Sequence, residues 1–357
     1  MNNNGFNSPP IRTYRKPNKP NPVRTALVLL MTAVIIAFVV VFIMSVTGTG
    51  MFADKKDSGD PKVSREEESS SETSQPEDSS SEKDPPVDPT VITYTFATKK
   101  SADIGMGDLL LINEEHLYKF TESGLLSDLY PAPSPHYSIA RADLMLKYHV
   151  IDALNRMMAD FYTAKSYAHF HITTAYRDFD TQNGLHDKNP NGAVIAGASD
   201  YHSGATIQFS GYDVANKKSV NISASEEAKW IKENAHKYGF VFRSPSDKKD
   251  IVGYTITWQL RYVGEAHAQY MYENNLCLEE YLTKLSSEFR YKEGGSNNLT
   301  VECQNGKTYQ IYYVEGSTEV GAETKIPVPS NRNYTVSGDN IKGYIVTVLA
   351  EIPDAQD

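Results

Sequence analysis

Apolar and polar positions along the chain fall into three regimes. From Ala26 to Val46 every residue is apolar or a small hydroxyl type, without a charge. A helix of roughly 21 such residues, rising 1.5 Å per residue, crosses a hydrocarbon core about 30 Å thick. Residues 25–47 are therefore expected to form a transmembrane helix. A cleaved signal peptide has an apolar core of only about 7 to 15 residues, and Gly48 to Ala53 supply its cleavage site poorly, so an uncleaved anchor is expected. In residues 54–90 the pattern vanishes. Ser, Glu, Asp and Pro dominate, with too little apolar surface to offset the entropy of ordering the chain, so a disordered acidic linker is predicted.

After residue 91 the apolar positions become periodic. Asp108 to Asn113, an apolar run between polar ends, predicts a short buried strand. The Pro-rich stretch Pro131 to Pro135 interrupts the chain. From Ser138 to Tyr162, Leu144, Tyr148, Ile151, Leu154, Met158 and Phe161 recur at helical spacing and predict a helix packed on a core. A strand over His169 to Tyr176, a short helix over Asp178 to Leu185, a loop over His186 to Ala198 and a strand over Ala205 to Ser210 follow. Ser223 with Glu226 reads as a capping box for the next helix, which Gly239 would end. Strands are expected over Phe240 to Arg243 and Tyr254 to Tyr262, then helices over Glu265 to Tyr272 and Leu278 to Ser287. Mixed elements without regular alternation favour an α+β domain over residues 91–290. Asn305-Gly306 between two apolar runs is a hairpin signal, and Tyr334 to Val336 and Gly343 to Leu349 add strands. Residues 297–352 thus read as a small all-β appendage docked on the main body.

Charge changes the picture at the N-terminus. The chain carries a net charge of -10, yet residues 1–24 hold Arg12, Arg15, Lys16, Lys19 and Arg24 and no acid. A basic tail ahead of the apolar run places it in the cytoplasm, and the remainder outside, by the positive-inside rule. The expected location is the cell membrane, crossed once. The exported body is net acidic, which argues against nucleic acid as a partner. Cys277 and Cys303 are the only cysteines, too few for a disulfide framework, and pairing or burial as two thiols both stay open.

Thr174-Ala-Tyr-Arg177, Ser199-Asp-Tyr-His-Ser-Gly204, Trp230-Ile-Lys-Glu-Asn-Ala235, Tyr238-Gly-Phe-Val-Phe-Arg243 and Trp258-Gln-Leu-Arg-Tyr-Val-Gly264 stand in one order over residues 105 to 290. In that order they resemble the VanY-type zinc D-alanyl-D-alanine carboxypeptidases. The resemblance implies a D,D-peptidase fold of the VanY and hedgehog type, a central antiparallel sheet flanked by helices. It also implies an S-x-H-x-x-G-x-A-x-D strand and a later E-x-W-H strand, whose two His and Asp hold zinc and whose Glu is the general base. Three such ligands leave an open position where zinc lowers the pKa of water to about 7, and a carboxylate takes its proton.

Aligned on Ser199, Gly204 and Trp258, those positions here are Tyr201, Gln208, Ile256 and Gln259. A phenol with pKa near 10, two amides and an alkyl chain are poor substitutes for ligands and base. The expectation is a pseudoenzyme with no catalytic residues, no cofactor and no metal, zinc belonging to active relatives. By the same resemblance Arg177 and Ser199, with Tyr176 and Gln182, lie on the substrate side and could bind a peptidoglycan stem peptide, although a structural salt bridge for Arg177 stays equally open. An envelope protein is the other partner considered. Two rival readings remain. One is an active metallo-carboxypeptidase with a metal site rebuilt on His202, with His171 or His186. The other is a purely structural envelope protein. His202 follows Tyr201 directly and, on a strand, would face the other way. His267 reads as structural, and Ser246-Asp-Lys-Lys249 as a chance S-x-x-K string.

Overall fold

The computed structural model describes residues 90–119, 125–129, 136–167, 169–223 and 225–351. The apolar run Ala26 to Val46, the acidic linker up to residue 89 and the Pro-rich stretch lie outside them. Among the described residues no helix is long and apolar enough to cross a membrane.

In chain order, the elements open with strand β1 (Tyr94–Lys100), the short strands β2 (Leu126–Asp128), β3 (Ser138–Ile139) and β4 (Met145–Lys147), and helix α1 (Tyr148–Lys165). Then come β5 (Phe170–Thr174), α2 (Phe179–Lys188), β6 (Thr206–Asp213), β7 (Lys218–Val220), α3 (Glu226–Asn234), β8 (Phe240–Phe242) and β9 (Gln259–Tyr262). Helices α4 (Glu265–Glu273) and α5 (Leu278–Glu288) lead to β10 (Leu299–Glu302), β11 (Thr308–Glu315), β12 (Glu323–Pro329), β13 (Tyr334–Gly338) and β14 (Gly343–Leu349).

The central sheet runs β3-β5-β6-β9-β8, with β7 appended to β6. Its pairs are antiparallel except β3 with β5, which is parallel, so the expected antiparallel sheet carries one parallel edge. Helix α1 lays Val150, Leu154, Met157, Met158 and Phe161 onto Phe170, Ile172, Ile207, Phe209 and Leu260 of one sheet face, and α3 adds Ala228 and Ile231. The opposite face is left for polar side chains.

Several local expectations are corrected. Helix α1 begins at Tyr148, not Ser138, because the residues before it pair with neighbours: β3 with β5 and β4 with β2. It runs on past the predicted end at Tyr162 to Lys165, where Ser166 closes it in the left-handed region. Leu109 to Ile112 are buried but form no strand. Side chains serve their carbonyls instead: Arg261 Nη2 donates to Asp108 O and Leu110 O, and Asn340 Nδ2 to Leu111 O. The strand predicted from Tyr254 starts only at Gln259, since Trp258 sits at φ 62° and breaks the extended run. The N-cap of α3 is Ser225, whose Oγ accepts from Ala228 N at 3.1 Å, rather than Ser223.

The β appendage forms the sheet β10-β11-β14-β13, with the hairpin at Asn305-Gly306 joining β10 to β11. One strand of it was not foreseen. β12 pairs along its whole length with β1, so Tyr94–Lys100 folds with the appendage although it precedes the peptidase-like region in sequence. Both cysteines are free and buried.

Candidate functional site

The polar face of the central sheet gathers most of the residues singled out above. After α2 and its following loop, the chain makes a 3₁₀ turn over Asp200–Ser203 that ends at Gly204 with φ 65°. A side chain at Gly204 would have to adopt that left-handed backbone and would meet Leu126 Cδ2 at 2.6 Å, so only glycine suits the turn. The turn buries Ser199 and sets Tyr201 over the sheet. In the antiparallel register Gln208 of β6 lies opposite Gln259 of β9.

These three side chains lie together. Tyr201 Oη donates to Gln208 Oε1 at 3.2 Å, and the Gln259 side chain lies beside the same phenol, close enough to offset part of the rise in its pKa. Gln259 Oε1 accepts from Ser244 Oγ at 3.2 Å, and Ser244 Oγ in turn accepts from Ile256 N at 2.9 Å. Burial pushes the Tyr201 phenol well above its ordinary pKa, so it stays protonated. A zinc site needs imidazoles, thiolates or carboxylates with free lone pairs. A neutral phenol and two amides whose oxygens already accept from neighbouring hydroxyls do not fit that metal, and Ile256 offers no proton acceptor. Among the described residues no group of three or more His, Cys, Asp or Glu could hold a metal ion.

The guanidinium of Arg177 lies over the Tyr201 ring, 4.8 Å from its centroid. Its Nη1 donates to Gln182 Oε1 at 2.7 Å, and Gln182 is itself buried and anchored through Nε2 to Val194 O at 2.6 Å. The N-cap Asp178 of α2 bonds Thr181 N, which orients the helix that carries Gln182. Among the described residues Arg177 makes no ion pair with a carboxylate, and burial pulls its pKa below the ordinary value. A cation held without a counter-charge on a half-buried surface is suited to accept a carboxylate in bidentate fashion. Tyr176 stands beside it, half-buried, with its phenol pKa raised by burial and by Asp178.

His202 belongs to the same turn but not to this cluster. The turn is 3₁₀, so strand alternation does not decide its direction. Its ring stacks on Tyr118, Nδ1 bonds Arg177 O, and Nε2 accepts from Gly197 N at 3.1 Å. His171 bonds Ser138 Oγ and His186 bonds Ala193 O. His267 is buried between Tyr281 Oη and Thr347 Oγ1, a tie between α4, α5 and the appendage. Ser246 opens a short 3₁₀ turn, and neighbouring Lys248 pairs with Glu280.

Beneath the cluster lies a charged network that sequence patterns did not reveal. Asp200, fully buried, pairs with Arg261 Nη1 at 2.8 Å and Arg243 Nε at 3.2 Å, and accepts from Thr206 Oγ1. Arg243 reaches on to Glu279 of α5. Tyr254, with its phenol pushed up to about 12 by burial, packs beside Arg243. Only the alternation of Arg261 with Gln259 along β9 hinted that a buried cation shared the site's face.

Comparison with known proteins bears on the family and the fold. A family model described as VanY, D-alanyl-D-alanine carboxypeptidase, matches residues 143–265, which span α1 to the start of α4. A D-alanyl-D-alanine carboxypeptidase of Enterococcus faecium is 34% identical over 251 residues, covering 68% of this chain and 75% of that protein. Another, from Enterococcus faecalis, is 34% identical over 90 residues, 25% of this chain and 31% of that protein. Among solved structures, the vancomycin-resistance D,D-dipeptidase VanXYg, in complex with a D-Ala-D-Ala phosphinate analogue, superposes with a TM-score of 0.61 at 24% identity. That match covers 72% of this chain and 99% of the other, and bears on the fold. With 34% identity sustained over 251 residues, a stretch twice the length of the matched family segment, the chain belongs to the VanY-type D-alanyl-D-alanine carboxypeptidase family.

Proposed function

We propose that this chain is a membrane-tethered, non-catalytic member of its family that binds peptidoglycan stem peptide through Arg177, with Tyr176 beside it and the buried Gln182 and Ser199 supporting that surface from within. The observation that carries the reading is the hydrogen-bonded cluster of Tyr201, Gln208 and Gln259, groups that neither bind zinc nor accept a proton, at the positions that the motif alignment gives to the family's zinc ligands. Beside it, Arg177 keeps its charge uncompensated and its guanidinium oriented by Gln182. The tether is the apolar run Ala26 to Val46 preceded by basic residues.

The test uses the purified full chain. Metal analysis should find no stoichiometric zinc, and a stem pentapeptide should release no D-alanine. Pull-down on intact peptidoglycan should retain the chain, and Arg177→Ala should weaken that retention by about 1.5–3 kcal/mol, the worth of a charge-assisted hydrogen bond. One zinc per chain together with D-alanine release would overturn the reading. Retention indifferent to Arg177→Ala would instead favour a structural envelope protein or a protein partner.

A further inference from the structure

A cleft of about 520 Å³ opens where the peptidase-like body meets the β appendage. One wall comes from the body: Asp108, His149 at the start of α1, Tyr262 at the end of β9 and Glu265 at the start of α4. The other is one face of the appendage sheet, where Thr335 of β13 stands opposite Thr347 of β14, with Tyr309 of β11 on the same side. A bond of 2.8 Å between His267 Nε2 and Thr347 Oγ1 joins the two walls. None of Arg177, Tyr201, Gln208, Gln259 or Ser244 lines the cleft, so it is separate from the proposed peptide site. Clefts of this size with convergent polar groups at such a junction are where small ligands commonly sit.

Its hydrogen-bonding groups are held in place yet left open. His149 Nε2 lies 2.8 Å from Asp108 Oδ2, and the imidazole packs edge-on to Tyr262 with ring centroids 5.4 Å apart. Nε2–H donating to the carboxylate leaves Nδ1 as an acceptor, and Nδ1 has no partner among the described residues. Tyr262 Oη, Tyr309 Oη and Thr335 Oγ1 likewise have none among them, and all four atoms keep accessible surface. Burial and Glu265 push the Tyr309 phenol up to about 12, and burial with Asp108 and Glu265 raises that of Tyr262, so both remain donors. The two carboxylates carry their own counter-charges: Lys147 Nζ is 3.1 Å from Asp108 Oδ1, and Arg156 Nη2 is 3.0 Å from Glu265 Oε1. Lys307 also lines the cleft, but exposed and solvated at its rim. Such a wall offers an uncharged ligand many hydrogen bonds and a charged one little net attraction.

We propose that this cleft is a second binding site, for a neutral pyranose ring. A sugar hydroxyl both donates and accepts, so neighbouring hydroxyls can give a proton to His149 Nδ1 and take one from the phenols and Thr335. The C–H face of the ring packs on a tyrosine. An amide or an apolar ligand uses only part of that set.

The full chain, solubilised in a detergent without sugar headgroups, should be titrated with the methyl β-glycosides of D-glucose and of N-acetyl-D-glucosamine and followed by saturation transfer to the sugar protons. Saturable binding of at least one is expected. Binding of the first alone, the second alone or both identifies the sugar and in each case supports the site. Tyr309→Phe, which removes one hydroxyl and little volume, should raise Kd about two- to tenfold. Thr335→Tyr, a larger side chain at an exposed strand position, should abolish binding by crowding the cleft, with a urea midpoint close to that of the unaltered chain showing that it folds. No saturable binding of either glycoside, or a Kd unchanged in both variants, would overturn the proposal.

Discussion

At the scale of single residues, the site is defined by what three side chains do for one another. Gln208 and Gln259 lie opposite each other on adjacent strands, and Tyr201 bonds the first and lies beside the second, so all three reach one point above the sheet. That geometry would serve a metal if the atoms were different. Tyr201→His, Gln208→Asp, Ile256→Glu and Gln259→His, made together, should give a folded chain that retains one zinc after dialysis, whereas the unaltered chain should retain none. A folded quadruple variant without zinc would show that the backbone has drifted from a ligating arrangement. Two other histidines contribute to the loss of stability in acid. Burial pulls His267 down to about 3 and His236 to about 4. Each binds protons more tightly unfolded than folded, so stability rises with pH across the interval between the folded values and about 6.5. The contribution of these two groups to the unfolding free energy from urea titrations should be flat above about pH 6.5 and fall below it by up to about 1.4 kcal/mol per pH unit per group. His267→Gln should remove one group's share of that slope.

At the scale of elements, caps and turns decide where the apolar pattern is used. Ser225, not Ser223, closes the first turn of α3, so Ser225→Ala should cost about 1 kcal/mol in a thermal or urea unfolding experiment and Ser223→Ala under about 0.5 kcal/mol. Equal losses would return the cap to Ser223. Only Ser223 has a glutamate three residues on, and Ser225 has Ala228 there, so the capping-box pattern favoured the wrong serine and the backbone geometry decides for Ser225. Strands β5, β6 and β8 of the central sheet, the hairpin at Asn305-Gly306 and helices α2, α4 and α5 were legible because their periodicity or turn chemistry is local, whereas β3 falls within a helical pattern and β7 was not foreseen. Leu109 to Ile112 misled because its apolar run is buried by side-chain donors, Arg261 and Asn340, more than 140 residues distant. The pairing of β1 with β12 was invisible for the same reason, its partners being more than 200 residues apart. In the site, Arg177, Tyr201, Gln208 and Gln259 were readable through their motifs. Asp200 and Tyr254 were not, because a buried charge network leaves no periodic trace.

At the scale of the whole molecule, the β appendage and the peptidase-like region share their core. Met271 of α4 and Leu278, Tyr281, Leu282 and Leu285 of α5 are buried in one cluster with Leu299, Val301, Ile311, Tyr313 and Ile345 of the appendage. His267 reaches Thr347 of β14, and Asn340 holds the segment around Leu111. Ending the chain at Ser296 would remove the partner of β1 and uncover one side of α5. Each large apolar side chain returned to water costs about 1.5–3 kcal/mol, and losing several approaches the 5–15 kcal/mol on which a typical fold rests. The full chain should therefore unfold in a single urea transition, followed by circular dichroism, and the chain ended at Ser296 should show no cooperative transition. If the shortened chain unfolds cooperatively at an unchanged midpoint, the appendage is a passenger and the shared core contributes little. If the transition is lost, the face that carries Arg177 and Tyr201 depends on strands that come after it in sequence. In that case the proposed site is a property of the assembled body and cannot be studied on the family-matched segment alone.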